Sequence, residues 1–321
     1  MRQRTIGLPL LFVVACARPS APVERVTIPS GATFRAVADS LDAHGLLRWR
    51  PWFVAVARVG RFDRAIKPGI YDFAPGTSAL TLLRTLRNGD FAVIKLTVPE
   101  GRTVLDIAAL AEERLAIPKD SLLAAARDTT LLRQHGISAS SAEGYLAPET
   151  YLAPAHGSAR DLVGLMLDQF ETSWDPSWTS RLDSLGMTRH QAVTLASIVE
   201  GEAQVDEERP VIAAVYLNRL RIGMALQADP TVQYAIQLAT GARKPRLLNV
   251  DYAFPSSYNT YLNPGLPPGP VGNPGRKSIE AVLYPENVPY LYFVASGGGR
   301  HSFSRTYDEH LHNVARARSG R

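Results

Sequence analysis

The 321-residue sequence contains one cysteine, Cys16, so no disulfide can form within the chain and no cysteine pair is available for zinc. Its seven histidines show no His-Glu-x-x-His or comparable ligand spacing, which argues against a metallohydrolase. A Gly-x-Ser-x-Gly elbow is also missing, and with it the usual serine-hydrolase signature. A large excess of either sign of charge is missing: the net charge is +5, and loss of Arg2 and Arg4 with an amino-terminal leader leaves 33 basic against 30 acidic residues. That excess is too small to suggest nucleic acid as a partner. What is present is an ordinary globular composition, 45% hydrophobic and 20% charged, long enough for two or three domains with real cores.

The amino terminus, MRQRTIGLPLLFVVACARPS, has a basic start and a short apolar run from Ile6 to Ala15. About 20 apolar residues are needed to cross a bilayer, so this run reads as an export signal and not as a span. Val13-Val14-Ala15-Cys16 resembles a bacterial lipobox, in which Cys16 becomes the lipid-modified first residue and anchors an exported protein to a membrane. The alternative is ordinary cleavage near Ala17, with Cys16 incidental.

After a short linker the chain contains an internal repeat. Val26-Thr27-Ile28-Pro29-Ser30-Gly31-Ala32-Thr33-Phe34 parallels Leu96-Thr97-Val98-Pro99-Glu100-Gly101-Arg102-Thr103-Val104. Each copy reads as strand, Pro-x-Gly turn, threonine N-cap and amphipathic helix. Between the copies the pattern predicts a helix over 50–59, a strand over 69–73, and a helix from Thr77 closed by Asn88-Gly89. The expected organisation is a leader over 1–16, a first α/β module over 17–95, a second module with connecting helices over 96–185, and a functional domain over 186–318. Glu143 to Tyr151, between two helical regions, reads either as a cleft wall or as core aromatics around a turn.

The most informative stretch is 188–236. Thr188 and Gln191 form a capping-box signature, and Ala192, Leu195, Ile198 and Val199 share one face of the helix that follows. At 100° per residue Glu202 falls in that apolar face and Glu200 points away from it. A carboxyl held against apolar neighbours is expected to titrate towards neutrality, as a general acid requires, so Glu202 is the candidate catalytic residue. The competing reading ends the helix at Gly201 and leaves both glutamates at the surface. Asp206 is expected to cap the next helix, with Glu207 and Glu208 in its first turn. Asp229-Pro230 reads as a helix start, which makes Asp229 a cap or a supporting acid. Gln227, just outside that helix, is free to bond a sugar. Tyr258, Asn259, Thr260 and Tyr261 combine aromatic rings with amide and hydroxyl groups, the chemistry of carbohydrate recognition, although such residues also build turns. Tyr290 to Ala295 predicts a strand, Ser296 to Gly299 a hairpin turn, and His301 either orients a site group or is structural.

SIVEGEA at 197–203, ERPVIAAVYLNRLRIGMALQADPTVQYA at 208–235, SYNTYLNPGLPPGPVGNPG at 257–275 and YLYFVASGGGRHSF at 290–303 resemble, in this order, the membrane-bound lytic murein transglycosylase G (YceG-like) family. The resemblance implies an α+β protein: small LysM-like α/β modules followed by a mixed α+β YceG-like catalytic domain. It implies internal cleavage of peptidoglycan glycan strands without metal or cofactor, and the family's catalytic glutamate falls on Glu202. Peptidoglycan strands, synthases of the wall machinery and a membrane at the amino terminus are the implied partners, and the protein would face the periplasm or cell wall. The short leader departs from the transmembrane helix usual in the family, and Ala228 stands where the family often has a hydroxyl residue. Two rival functions are a water-using muramidase, with Asp229 as its second acid, and a non-catalytic peptidoglycan-binding lipoprotein that scaffolds wall-synthesis enzymes.

Overall fold

The computed structural model describes residues 23–155 and 157–319. The leader and Cys16 lie outside the described residues. The order of elements is β1 (Glu24–Ile28), α1 (Phe34–Ala43), α2 (Arg50–Val59), β2 (Gly69–Phe73), α3 (Ala79–Asn88), β3 (Val93–Thr97), α4 (Val104–Leu115), α5 (Lys119–Ala125), α6 (Thr129–Gln134), β4 (Thr150–Pro154), α7 (Ala159–Ser173), α8 (Ser177–Leu185), α9 (Arg189–Glu202), α10 (Arg209–Arg221), α11 (Asp229–Thr240), α12 (Arg276–Leu283), β5 (Tyr292–Gly297), β6 (Arg300–Ser304) and α13 (Tyr307–Ser319). The strands form three two-stranded antiparallel ladders, β1–β2, β3–β4 and β5–β6. Many helices around such small sheets make an α+β fold.

Two compact units meet between Ala92 and Val93. The repeat explains how each begins. Thr33 accepts from Ala36 N at 3.3 Å, and Thr103 accepts from Asp106 N at 3.2 Å. Gly31 and Gly101 adopt φ of 76° and 74°, left-handed values that a Cβ disfavours, and this lets the chain reverse between strand and helix. The first unit encloses its own core of Val26, Leu41, Phe53, Tyr71, Leu82 and Leu86. Loss of the Thr103 cap hydroxyl is expected to cost about 1 kcal/mol. Thr103→Ala should therefore lower the unfolding midpoint by roughly 2–4 °C, readable by calorimetry.

In the second unit a single core runs from Leu96 through Ile107, Leu146 and Phe170 to Val193, Ile198, Tyr216 and Leu283. The expected boundary at 185/186 is therefore not a break in packing. Bonds cross it as well, Tyr145 Oη to His190 Nδ1 at 2.9 Å among them, and on its near side lies β4, a strand absent from the sequence reading, whose Tyr151 pairs with Leu96 of β3 across more than 50 residues. A local pattern cannot report such a pairing, and the prolines around β4 hide it further. Tyr145 and Tyr151 are core aromatics, 3% and 5% exposed. Glu143, beside them, is buried as well: it accepts from Val104 N, Tyr234 Oη and Asn273 Nδ2, joining α4, α11 and the 263–275 stretch. Burial pushes its carboxyl up to about 8, against the pull of these donors. The Pro- and Gly-rich stretch is thereby ordered: Asn273 also caps the chain at Leu146, and Val271 N donates to Ser197 of α9.

Candidate functional site

α9 is the axis of the second unit. Its capping box forms as the spacing predicts, and Ala192 to Val199 are all buried, so neighbours surround the helix on every side. The helix continues through Gly201, whose Cα faces Pro230 of α11 so closely that a Cβ would lie 2.7 Å from the ring. That approach keeps Glu202 in the last helical turn instead of in solvent.

Glu202 is partly buried, and Tyr216 Oη of α10 donates to its Oε1 at 2.9 Å. Burial pushes the Glu202 carboxyl up to about 7; the Tyr216 hydroxyl and the Asp229 backbone favour the carboxylate, while the Asp229 charge opposes it. Tyr216 is itself 1% exposed and its ring meets Phe293 of β5 edge-on at 5.8 Å. One oxygen of Glu202 is thus held by Tyr216. Replacing Tyr216 with phenylalanine removes a donor to the carboxylate. The expected result is a further rise in the Glu202 pKa, seen as an alkaline displacement of the ionisation when Tyr216→Phe is titrated by carboxyl NMR beside the unaltered protein.

The neighbouring groups form a cleft. Tyr261 Oη donates to Asp229 Oδ1 at 2.7 Å, and the Tyr252 ring packs on Tyr261 at 4.5 Å. Together with Phe293, Val294 and His310 they line a cavity of about 440 Å³. Gln227 is exposed and holds a left-handed φ of 49°, a costly conformation for a residue with a Cβ. Its backbone N–H donates to Thr260 O at 3.2 Å. A larger cleft of about 1000 Å³ lies between α8, α10 and the 285–289 loop, but its only acid is the exposed Glu286. It holds no carboxyl suited to acid catalysis.

Several expectations change in three dimensions. Asp229 is not the cap of α11, since Ala228 occupies that position and the Asp229 side chain turns to Tyr261. Asn259 is fully buried, its Nδ2 spent on Tyr252 O and Phe254 O and its Oδ1 on Tyr261 N. Thr260 is also fully buried, between Ala228 N and Thr231 Oγ1. These two side chains shape the loop and have no group free for a sugar. Tyr258 packs edge-on against Tyr234 at 4.9 Å, on the side of Glu143 and not with Asp229.

Glu200 points away from the Glu202 face, as its spacing implies, yet it is not at the surface. Its side chain is 7% exposed and meets Arg209 at 3.1 Å, Gly275 N at 3.0 Å and Ser278 Oγ at 2.8 Å. Asp206 does not cap α10; it pairs with Arg209 and Lys277. Glu208, which reads as a surface acid, is buried and accepts from His301 N at 3.1 Å and pairs with His301 Nδ1 at 2.7 Å. His301 therefore ties the β5–β6 hairpin to α10, and its ring abuts Phe293 beside Tyr216. Arg219 is buried and donates to Leu291 O and Leu226 O, while Asn218 donates to Val288 O and Tyr290 O. Tyr216 and Glu208 are the residues missed from sequence. The spacing Arg209, Ile212, Tyr216, Arg219 along α10 was the available signal for a buried polar row, and the run of acids at 206–208 concealed its start.

Comparison with known proteins gives the family. The chain is 31% identical over 314 residues to the endolytic murein transglycosylase of Bacillus subtilis strain 168, covering 91% of this chain and 84% of that protein. It is 30% identical over 318 residues to an endolytic murein transglycosylase of Streptococcus pneumoniae, covering 90% of this chain and 57% of the relative. The crystal structure of a YceG-like protein from Listeria monocytogenes superposes with a TM-score of 0.63 at 30% identity, covering 90% of this chain and 98% of the other. The model of the YceG-like family matches residues 26–316, and over that span the chain belongs to the YceG-like family.

Proposed function

We propose that the chain is an endolytic lytic transglycosylase that cuts the bond between N-acetylmuramic acid and N-acetylglucosamine within peptidoglycan strands, with Glu202 as its catalytic acid and base. The observation that carries this reading is a carboxyl pushed up to about 7 by burial, one oxygen fixed by Tyr216, next to Asp229, which itself lines the tyrosine-walled cavity. A group of that pKa is present in both protonation states near neutral pH, which suits a residue that must first give and then take a proton.

In the proposed reaction Glu202 protonates the glycosidic oxygen as its bond to C1 of the muramoyl unit breaks, and the N-acetylglucosamine strand leaves with a free hydroxyl. The resulting carboxylate then takes the proton from the muramoyl C6 hydroxyl as that oxygen bonds to C1. The product carries a 1,6-anhydro end, no water is consumed, and Glu202 returns protonated. Tyr252 and Tyr261 would cover sugar faces, and the strained Gln227 would present its amide to a hydroxyl or N-acetyl group. Homologues named as murein transglycosylases support the substrate class. Such a substrate would place the protein outside the cytoplasm, with the amino terminus at a membrane and wall synthases as its working neighbours. Among the described residues no helix is long and apolar enough to cross a membrane.

The proximity of Asp229 keeps one rival specific. A muramidase would use it as a second carboxylate to activate water or attack C1. Here Asp229 Oδ1 is engaged by Tyr261, which favours a structural acid. Mass analysis of muropeptides released by the protein distinguishes the two readings. The transglycosylase gives products one water lighter than hydrolysis products, whereas ordinary reducing ends would establish the muramidase.

A further inference from the structure

The first unit carries a surface that the cleavage reaction does not use. Trp49 and Trp52 are 63% and 56% exposed, and Val59 on the same helix is 88% exposed. At 100° per residue Trp49, Trp52 and Val59 fall within one quarter of the α2 circumference, with the core-packed Val56 between them, so the exposed side chains share one side of the helix. Three exposed arginines have no ion-pair partner among the described residues: Arg48 and Arg61 lie just beyond the two ends of the helix, and Arg58 lies about 100° round from Val59. Charge is also divided unequally along the chain. Residues 23–92 hold ten Lys and Arg against six Asp and Glu, whereas residues 93–321 hold 22 against 24.

We propose that this face of α2 docks on an anionic lipid bilayer, with Trp49 and Trp52 seated at the headgroup level and the arginines against lipid phosphates. An apolar stripe with tryptophans, bordered by arginines on a short surface helix, has the composition that binds in the plane of a membrane interface. The ladder supports the placement. Glu24 of β1 pairs with Phe73 of β2, so the 74–78 turn sits at the end where the chain enters the unit, and that turn lines one cavity with Trp49 and Trp52.

The obvious competitor for exposed tryptophans is a sugar, and the cavity argues against it. Its hydroxyls are already engaged: Thr77 Oγ1 donates to Ala74 O at 2.6 Å, and Ser78 Oγ bonds Thr81 Oγ1 at 2.8 Å and receives Thr81 N. Beyond Arg48 the lining is chiefly apolar, including Leu46, Phe53 and Leu82. Sugar recognition requires polar groups that converge on ring hydroxyls. The stripe also continues to Val59, outside the cavity.

The test uses the full chain with phosphatidylcholine vesicles containing phosphatidylglycerol, some with brominated acyl chains that quench tryptophan at the membrane. Expected is quenching that disappears in Trp49→Phe/Trp52→Phe, whose remaining Trp174 and Trp178 lie in the second unit. An anchor at the amino terminus is common to both proteins and cancels from the comparison. Arg48→Gln/Arg58→Gln should lower partitioning onto the anionic vesicles about tenfold or more, with little change on pure phosphatidylcholine. Equal quenching in wild type and double variant would overturn the proposal. So would an emission change produced by isolated glycan strands and not by vesicles, or tryptophans already shielded from aqueous acrylamide in lipid-free protein, which would mean that the chain covers its own stripe.

Discussion

Glu202→Gln is expected to abolish release of muropeptides, lowering kcat by about 10³-fold or more, because an amide can neither protonate the leaving oxygen nor accept the C6 proton. The same variant should fold better than the wild type above neutral pH. Burial raises the folded-state carboxyl to about 7 from the ordinary glutamate value of 4.5. The folded protein thus keeps a proton that the unfolded chain releases. Its contribution to stability is present below about pH 4.5 and is lost as pH rises towards 7, after which the ionised carboxylate sits uncomfortably in a poor dielectric. Glutamine escapes that loss, so denaturant unfolding at pH 8 should show a gain of about 1–2 kcal/mol, a figure reduced from the full shift because the residue is only partly buried. Glu143, raised to about 8, has the same sign and stays in both proteins, so it leaves the difference intact. Gain of stability with loss of turnover would mark Glu202 as a site under functional tension. Retention of turnover in a folded Glu202→Gln protein would refute the proposed chemistry and favour a binding scaffold. Loss of both stability and turnover would make Glu202 structural.

The largest stability loss is expected at Arg209→Ala. The residue is 8% exposed, and its guanidinium lies 3.1 Å from Glu200 and 3.1 Å from Asp206, with Ser278 bonded to it as well. Its removal leaves Glu200 charged and buried, with only Gly275 N and Ser278 to hold it. Breaking one half of a buried pair typically costs about 3–5 kcal/mol, much more than the pair contributes over an apolar replacement. The prediction therefore includes a rescue: Glu200→Gln added to Arg209→Ala should recover a good part of the loss, because the stranded charge is gone. Equilibrium unfolding in urea measures both steps. A loss below 1 kcal/mol in the single variant, or no recovery in the double, would show that the cluster is solvated and that α9, α10 and α12 do not depend on it.

Local patterns made much of the fold legible. The two threonine caps, the helix over 50–59, the strand over 69–73 and the capping box at Thr188 form where the residue order places them, because each depends on neighbours three or four positions away. The hairpin at Gly298-Gly299 was legible for the same reason: the two glycines adopt φ of 61° and 76° that other residues avoid. The 100° step put Glu202 and Glu200 on different sides of α9, because that angle is set by the helix itself, but it did not show that Glu200 is buried as well.

Its polar neighbours could not be read that way. Tyr216 reaches Glu202 because α10 crosses α9, and Asp229 faces Tyr261 because a loop built on the buried amide of Asn259 brings them together. Glu200 and Glu208 look like surface charges in the sequence, and only the positions of Arg209, Ser278 and His301 show them to be buried and paired. The sequence by itself determined the helices, the turns and which glutamate faces apolar neighbours, since these follow from backbone periodicity and local hydrogen bonds. The tertiary structure decided which side chains hold that glutamate and which polar groups remain free for a ligand, because burial and partnership are properties of segments that meet only after the chain has folded.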